Sequence, residues 1–160
     1  EWVGQIELAL KEQYPNVLHP IYEKVERIDG SLWEYSDFKS YSWQEFEDLI
    51  GSLYESLGYE TQVTSDTADF GIDVWGSKDG EQTAIQAKKY QQGNSVGRET
   101  LQKLASTLAK GDADHAVVIT TSSFARTAED YAEEFGPDME IIDGDDLIDM
   151  LNNSPMPPPA

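Results

Sequence analysis

The dipeptide Asp79-Gly80 predicts a β-hairpin that would bring an acid, an amide and a lysine onto one face of a sheet. Asp-Gly is a preferred two-residue hairpin loop, and as the loop it determines the pairing of the flanking strands. Asp73 then faces Gln86, and Lys88 lies diagonally across from Asp73 on the same face. A bulge or a longer loop would shift this register. Carboxylate and amide oxygens suit Mg²⁺ or Mn²⁺, and an adjacent lysine could orient a water or stabilise charge on a phosphate.

A second acid, Glu47, is predicted at the margin of an amphipathic helix. Ser42-Trp43-Gln44-Glu45 fits a capping box, and Glu47 lies beside Phe46, where its carboxylate could reach a site on the sheet. The alternatives are ordinary: Glu47 as a helix-surface acid, and the hairpin residues as a polar sheet face with a salt bridge. The apolar stripe of this helix comprises Trp43, Phe46, Leu49, Ile50, Leu53 and Leu57.

The periodicities that follow predict an α/β fold. A β-meander followed by alternating helices and strands indicates an α/β/α sandwich over a mixed sheet of about five strands. In the hairpin register, Ile72, Val74, Ile85 and Ala87 point into a core on the opposite face. Strands are predicted at 59–64, 72–77, 83–90, 115–121 and 139–142, and later helices at 95–109, 124–135 and 145–151, with Ser95 or Asn94 as a cap.

The length and composition indicate one domain with an extension. The 160 residues include 39% hydrophobic residues, and no apolar run approaches the roughly 18 residues that span a membrane. We expect residues 1–41 to form a partly helical N-terminal extension of unknown role, residues 42–152 the main domain, and residues 153–160 a Pro-rich, linker-like tail. Because the chain starts at Glu1 rather than Met, we expect a processed product or a fragment.

The net charge is −20, from 11 Lys and Arg against 31 Asp and Glu. A uniformly acidic surface would repel DNA phosphates. The distribution is uneven, however, because residues 86–126 contain six bases and three acids, whereas residues 127–160 contain ten acids and no base. One interpretation is a cationic face inside the acidic shell of a halophilic protein that works in concentrated salt. The other is chance in an ordinary acidic domain.

Cysteine and histidine contribute little to the predicted chemistry. The sequence has no cysteine, which excludes disulfides, thiolate metal sites and cysteine nucleophiles. Neither His19 nor His115 has a metal-binding partner at ligand spacing. The carboxylate, amide and lysine set is therefore the main candidate for chemistry.

A series of short motifs resembles the catalytic domain of the Mrr family, the type IV restriction endonuclease-like nucleases. Each motif is weak singly, but their order and spacing over residues 43–151 make the resemblance strong, and residues 1–41 lie outside it. The motifs are Phe46-Glu47, Leu57-Gly58-Tyr59, Asp69-Phe70-Gly71-Ile72-Asp73, Gln86-Ala87-Lys88-Lys89-Tyr90, Val118–Phe124 with Ala128, and Ile142-Asp143-Gly144 with Leu147.

The resemblance implies a restriction-endonuclease-like fold and metal-dependent hydrolysis of phosphodiester bonds. The family has a D…QxK core where the wider PD-(D/E)xK superfamily has D…ExK. Matched onto this sequence, Asp73 is the principal metal ligand, Gln86 offers its side-chain carbonyl, and Lys88 is the catalytic lysine. Glu47 completes the metal shell from the helix, and the carbonyl of Ala87 is a further candidate ligand. The implied cofactor is Mg²⁺ or Mn²⁺.

Other positions have weaker interpretations. Asp69 lies on a Gly-containing turn, where it either supports the metal ligands or caps the turn, and the cap is preferred. Ser122 and Ser123 are predicted N-caps of the helix at Phe124, whose N-terminus could hold a phosphate. The basic candidates for DNA contact fit solvated helix faces equally well. The candidate DNA contacts are Lys89, Arg98, Lys103, Arg126 and Ser122.

The sequence thus predicts a metal-dependent DNA endonuclease of the restriction or defence type, with DNA as the partner and a cytoplasmic location. A homodimer is a further expectation, because it would double the number of DNA contacts available in concentrated salt. Three alternatives stay open. They are a structure-selective nuclease such as a Holliday-junction resolvase, a non-cleaving DNA-binding module with the same fold, and an acidic interaction domain without a nucleic-acid role.

Overall fold

A mixed five-stranded sheet between two layers of helices forms the centre of the protein. The computed structural model describes residues 30–64 and 71–160. In chain order the elements are a 3₁₀ helix (Tyr35–Ser40), α1 (Trp43–Ser56), β1 (Glu60–Val63), β2 (Val74–Lys78), β3 (Glu81–Lys88), β4 (Ser95–Val96), α2 (Arg98–Ala109), β5 (His115–Thr120), β6 (Ser123–Phe124), α3 (Arg126–Phe135), β7 (Met139–Ile142) and α4 (Gly144–Asn152). The main sheet has the spatial order β1-β2-β3-β5-β7. Its first three strands are antiparallel, and β3, β5 and β7 are parallel.

The hairpin between β2 and β3 has the predicted register. Both loop residues have positive φ, 54° for Asp79 and 81° for Gly80, as a tight two-residue turn of this kind requires. Trp75 lies opposite Ala84 as predicted, but the paired residues end at Val74 and Ile85, so the predicted pair of Asp73 with Gln86 is not part of the ladder. Asp73 therefore lies one residue before the first paired residue of β2, next to the C-terminal half of β3.

Helix α1 begins with the predicted capping box. Ser42 Oγ accepts a hydrogen bond from the Glu45 N–H, and the Glu45 carboxylate accepts one from the Ser42 N–H, both at 3.1 Å. These bonds satisfy backbone donors that the first turn of a helix leaves free. The prediction is wrong for Trp43, which is 50% exposed. Helical side chains lean towards the helix N-terminus, so a first-turn side chain projects past the buried stripe.

Two apolar clusters lie on opposite faces of the sheet. On one face, α1 and α4 pack over Val74, Ile85 and Ala87, which confirms the predicted orientation of these three residues. On the other face, α2 and α3 pack over Ala84 and its neighbours. Ile72 lies in this second cluster rather than beside Val74, because β2 begins at Val74 and strand alternation does not extend to residue 72. The α/β/α sandwich confirms the predicted fold class.

A two-stranded parallel sheet, β4 with β6, was not predicted. Ser95 pairs with Ser123, and α2 and α3 each begin three residues later, at Arg98 and Arg126, without a side-chain cap. The N-cap positions are Gly97 and Ala125, so the predicted caps at Ser95 or Asn94 and at Ser122 and Ser123 are wrong. Ser95 and Ser123 belong to strands instead. The parallel pairing makes the two helices start side by side.

The hydrophobic core extends beyond the predicted limits of the main domain. Trp33 and Phe38 are buried in the cluster under α1, although both precede residue 42. The Trp33 indole N–H donates a hydrogen bond to the backbone O of Met156 at 2.9 Å, so the Pro-rich tail packs against this segment. The helix predicted near the N-terminus lies outside the described residues. Within the described ranges, no helix combines the length and the apolar character needed to cross a membrane.

His115, at the start of β5, links three strands at the sheet end opposite Lys88. Its Nε2 atom contacts the Glu81 carboxylate, and its Nδ1 atom lies 3.1 Å from Asp138 Oδ1, just before β7. The hydrogen bond with Glu81 is the main cause that raises the pKa of His115, and partial burial opposes it. Protonated His115 therefore stabilises the fold. This contribution is fully present at pH values below the unfolded-state pKa and is lost as the pH rises through the folded-state pKa.

We predict that His115→Gln lowers the free energy of unfolding more at pH 5.5 than at pH 8.5. Solvent-exposed pairs contribute about 0.2–1 kcal/mol, so the difference between the two pH values should be of that size. Urea denaturation at low ionic strength measures the free energy of unfolding of the variant and of the wild type at each pH. The difference between the two proteins removes the effect of other titrating groups. An equal loss at both pH values would contradict the charged role of His115.

Candidate active site

Asp73 lies at the point where β2 stops pairing with β3. Its backbone N–H donates a hydrogen bond to Ile85 O at 2.9 Å, and its carboxylate Oδ2 accepts one from the Ala87 N–H at 2.7 Å. The side chain thus replaces the strand partner that the Ala87 N–H would otherwise need. This bond holds the carboxylate against the backbone of the Gln86-Ala87-Lys88 segment.

The carboxyl group of Glu47 reaches Asp73 from the margin of the α1 stripe. The two side chains share a hydrogen bond. Burial and the nearby Asp73 charge raise the pKa of Glu47 to about 7. Burial also raises the pKa of Asp73, although its hydrogen bonds and the charge of Lys88 oppose this effect. Near neutral pH the pair therefore shares a proton, in a position where a cation could replace it.

Gln86 lies on β3 between Ile85, which bonds the backbone of Asp73, and Ala87, which bonds its carboxylate. Its side chain is buried, with 7% of the residue exposed. The Oε1 atom has no hydrogen-bond partner among the residues that the structure describes, and such an oxygen costs about 1–3 kcal/mol if it stays unsatisfied. Gly71 makes room for this side chain, because a Cβ at its φ of 74° would collide with the Gln86 amide.

These oxygen atoms fit a hard divalent cation. In an extended strand the N–H and C=O of one residue point to the same edge, so the Ala87 carbonyl faces the side where Asp73 lies. Carboxylate, amide and backbone carbonyl oxygens are the ligands that Mg²⁺ and Mn²⁺ prefer, and a cation would satisfy Gln86 Oε1. In the described part of the chain no three His, Asp or Glu side chains cluster for metal binding, so amide and backbone oxygens would complete the shell.

The structure brings two of the candidate DNA contacts to the same end of the sheet as Lys88. Lys88 pairs with Thr120 at the end of β5, and β6 begins three residues later. The pairing of β6 with β4 then sets the starts of α2 and α3 side by side, with Arg98 and Arg126 as their first residues. Both arginines are exposed, and the Arg98 guanidinium also lies 5.3 Å from the centre of the Tyr131 ring.

The remaining candidate DNA contacts differ in their access to solvent. Lys103 is exposed further along α2, and Lys89 is half-buried directly after β3. Ser122 is buried, and its hydroxyl has no hydrogen-bond partner within residues 30–64 and 71–160. A direct DNA contact is therefore wrong for the Ser122 side chain. Its backbone O accepts a hydrogen bond from the Gly144 N–H at 2.8 Å, which draws the turn inward.

The sequence interpretation missed two hydroxyls that bond the end of β3. Thr120 Oγ1 bonds the backbone O of Lys88, and Thr121 Oγ1 bonds the backbone of Tyr90. The available signal was the run of hydroxyl residues directly after the apolar residues of β5. Asp69 and His19, which the sequence singled out, lie outside the described residues.

Two solved structures share this fold. The match with the DNA modification-dependent restriction endonuclease AspBHI covers 80% of this chain and 38% of the AspBHI chain, with a TM-score of 0.61 and 20% identity. The match with the MspJI restriction endonuclease, solved in complex with a 27-mer oligonucleotide, covers 74% of this chain and 29% of the MspJI chain, with a TM-score of 0.59 and 20% identity. At this identity the likeness shows the fold alone, which is that of restriction endonucleases.

The family model of the Mrr catalytic domain, described as a restriction endonuclease, matches residues 38–151. The chain therefore belongs to this family, which confirms the resemblance seen in its motifs. The type IV methyl-directed restriction enzyme EcoKMrr of Escherichia coli (strain K12) is 30% identical over 155 residues, or 92% of this chain and 46% of that enzyme. The chain thus spans less than half the length of this relative.

The shared proton predicts that Glu47→Gln stabilises the metal-free protein at pH 8. A carboxyl group whose folded-state pKa is raised loses stability as the pH rises from its unfolded value through about 7, because the unfolded state ionises first. A neutral isostere removes this cost, which solvent screening limits to about 1 kcal/mol, or about 3 °C in melting temperature. Thermal melting in EDTA at pH 5 and pH 8 measures the difference.

The gain should be much smaller at pH 5, where Glu47 of the folded wild type is protonated. Glu133→Gln, which changes an exposed acid on α3, is the matched control and should show no gain at pH 8. Addition of Mg²⁺ should raise the melting temperature of the wild type more than that of Glu47→Gln. A variant less stable than the wild type at both pH values would contradict the shared proton.

Proposed function

We propose that this chain is the catalytic unit of a metal-dependent DNA endonuclease of the restriction type. One observation carries the proposal: the Asp73 carboxylate pairs with Glu47 while bonded to the backbone of the Gln86-Ala87-Lys88 segment. Family membership supports a nuclease. The two carboxyl groups, the unsatisfied amide oxygen and the lysine support hydrolysis of a phosphodiester bond.

The proposed roles follow from the surroundings of each group. When bound, Mg²⁺ or Mn²⁺ polarises the scissile phosphate and lowers the pKa of a water nucleophile. Lys88, whose charge already acts on the Asp73 carboxylate, orients the attacking water and stabilises charge developing on the phosphate. Arg98 and Arg126 contact the DNA backbone, with Lys89 and Lys103 as further contacts. Oxygens of Asp73, Glu47, Gln86 and Ala87 would hold the cation.

We also propose that the substrate is modified DNA. EcoKMrr is named a methyl-directed restriction enzyme and AspBHI a modification-dependent one, and this chain shares the family of the first and the fold of the second. A homodimer that doubles the DNA contacts belongs to the same proposal. A comparison of the cleavage rates of methylated and unmethylated duplexes tests the substrate class.

Replacement of the central acid or of the lysine should slow cleavage strongly without removing all activity. We predict that Asp73→Ala and Lys88→Ala each lower the rate of DNA cleavage in Mg²⁺ by about 10²-fold or more, because Asp73 would hold the cation and Lys88 would stabilise charge developing on the phosphate. A nicking assay on supercoiled DNA measures the rate. Lys39→Ala, an exposed lysine on the 3₁₀ helix, is the matched control and should cleave like the wild type.

Cleavage by both Asp73→Ala and Lys88→Ala at the wild-type rate would contradict the assignment of the active site. The same assay separates the competing functions, since a four-way junction cut faster than a linear duplex would favour a structure-selective nuclease. DNA binding that needs no metal and produces no nicks would favour a non-cleaving module.

The charge of the chain supports a role in concentrated salt. With 31 acids against 11 bases, repulsion among surface carboxylates opposes folding at low ionic strength. We predict that the melting temperature rises between 0.1 M and 2 M KCl, because the added ions screen this repulsion. Thermal melting across a KCl series measures the effect. A melting temperature that is unchanged or lower in 2 M KCl would contradict the halophilic assignment.

A further inference from the structure

The turn after β5 holds the end of β3 through side-chain hydroxyls rather than through the strand ladder. The ladder between β3 and β5 ends at the pair formed by Lys88 and Thr120. Beyond it, Thr121 Oγ1 accepts a hydrogen bond from the Tyr90 N–H at 2.9 Å and donates one to the Tyr90 O at 2.6 Å. One hydroxyl thus satisfies both backbone polar groups of the residue two positions after Lys88.

The backbone of Lys88 is itself held from β5. Its carbonyl O accepts a hydrogen bond from Thr120 Oγ1 at 2.9 Å and another from the Thr121 N–H at 3.2 Å. Thr121 is buried, with 3% of the residue exposed, so water does not compete strongly for these bonds. The backbone from Lys88 to Tyr90 therefore cannot shift without breaking hydrogen bonds to the turn.

The turn at residues 121–122 is itself held to the protein interior by hydrogen bonds. The Ser122 N–H donates to Thr120 Oγ1 at 3.1 Å, and the Ser122 O accepts from the Gly144 N–H at 2.8 Å. Gly144 lets α4 start directly against this turn, because a Cβ there would lie 2.6 Å from the Thr121 O. Thr121 is thus a fixed point against which the end of β3 is positioned.

We propose that Thr121 is a positioning residue for the catalytic lysine. Its hydroxyl bonds both backbone polar groups of Tyr90, and its N–H bonds the Lys88 carbonyl. Thr121 thus limits the directions in which the Lys88 side chain can leave β3 towards Asp73. A long lysine side chain can adopt many conformations, and its starting direction decides which of them reach the reacting phosphate. A misplacement of about 1 Å can cost about 10²-fold in rate. The inference rests on the proposed function, since it takes Lys88 as the catalytic lysine.

The test compares two buried threonines that differ in their hydrogen bonds. Thr121→Val removes the bonding hydroxyl at nearly constant volume, and Thr121→Ser retains it. Thr107→Val is the matched control, because Thr107 is 1% exposed and its hydroxyl has no partner among the described residues. We expect Thr121→Val to lower kcat for DNA cleavage about 10- to 100-fold with little change in KM. Thr121→Ser and Thr107→Val should stay within about threefold of the wild type.

A double variant tests whether Thr121 acts through Lys88. In the Lys88→Ala background, Thr121→Val should cause no further loss of the residual activity, whereas multiplying losses would overturn the inference. Thr121→Val cleavage at the wild-type rate, or an equal loss in Thr121→Ser, would also overturn it. Thr121→Ala, which removes the same hydroxyl with less bulk, replaces the valine variant if that one does not fold.

Hydrogen exchange gives a readout that does not depend on nuclease activity. We expect amides of residues 88–90 to exchange at least about tenfold faster in Thr121→Val than in the wild type, with no such change in Thr107→Val. Unchanged exchange in Thr121→Val would refute the inference alone. A wild-type chain that cleaves no DNA would refute the proposed function, and with it the catalytic part of the inference, even where exchange accelerates.

Discussion

The hydrogen bond from the Ala87 N–H to the Asp73 carboxylate is the interaction on which the candidate site depends. It lies just before the first residue of β2, where β3 continues beside β5 but has no strand partner on its other edge among the described residues. A buried backbone N–H at an open edge needs an acceptor, and a side chain supplies it. The same geometry points the Ala87 carbonyl to that edge, so the end of one ladder creates a set of oxygen donors.

The acidic pair at this edge explains why a lysine and a cation belong in the same site. Glu47 and Asp73 are carboxyl groups in partial burial within a chain of net charge −20, where a further unpaired negative charge is costly. A shared proton, the charge of Lys88 or a bound cation each reduces that cost. The capping box of α1 contributes by fixing where the helix starts, and therefore where Glu47 meets the sheet. Stability and chemistry thus depend on the same few contacts.

Local patterns in the sequence were sufficient for the sheet and most helices. Asp79-Gly80 determined the pairing of β2 with β3, because a two-residue loop allows few registers. The box at Ser42 determined the start of α1, because it satisfies donors within one turn. The contact between Glu47 and Asp73 was within reach of the same reasoning, since helix periodicity put Glu47 at the margin of the stripe. The Mrr motifs then pointed to the family.

What the sequence by itself determined were the features that depend on near neighbours: the hairpin register, the capping box of α1, strand alternation and the order of elements. Only the tertiary structure decided features that depend on residues far apart in the chain. Pairing of Ser95 with Ser123 turned predicted caps into strands, and burial of Ser122 removed a predicted DNA contact. The hydroxyl of Thr121 bonds Tyr90, which lies 31 residues earlier. Such contacts form only when packing brings distant segments together, and local periodicity contains no record of that packing.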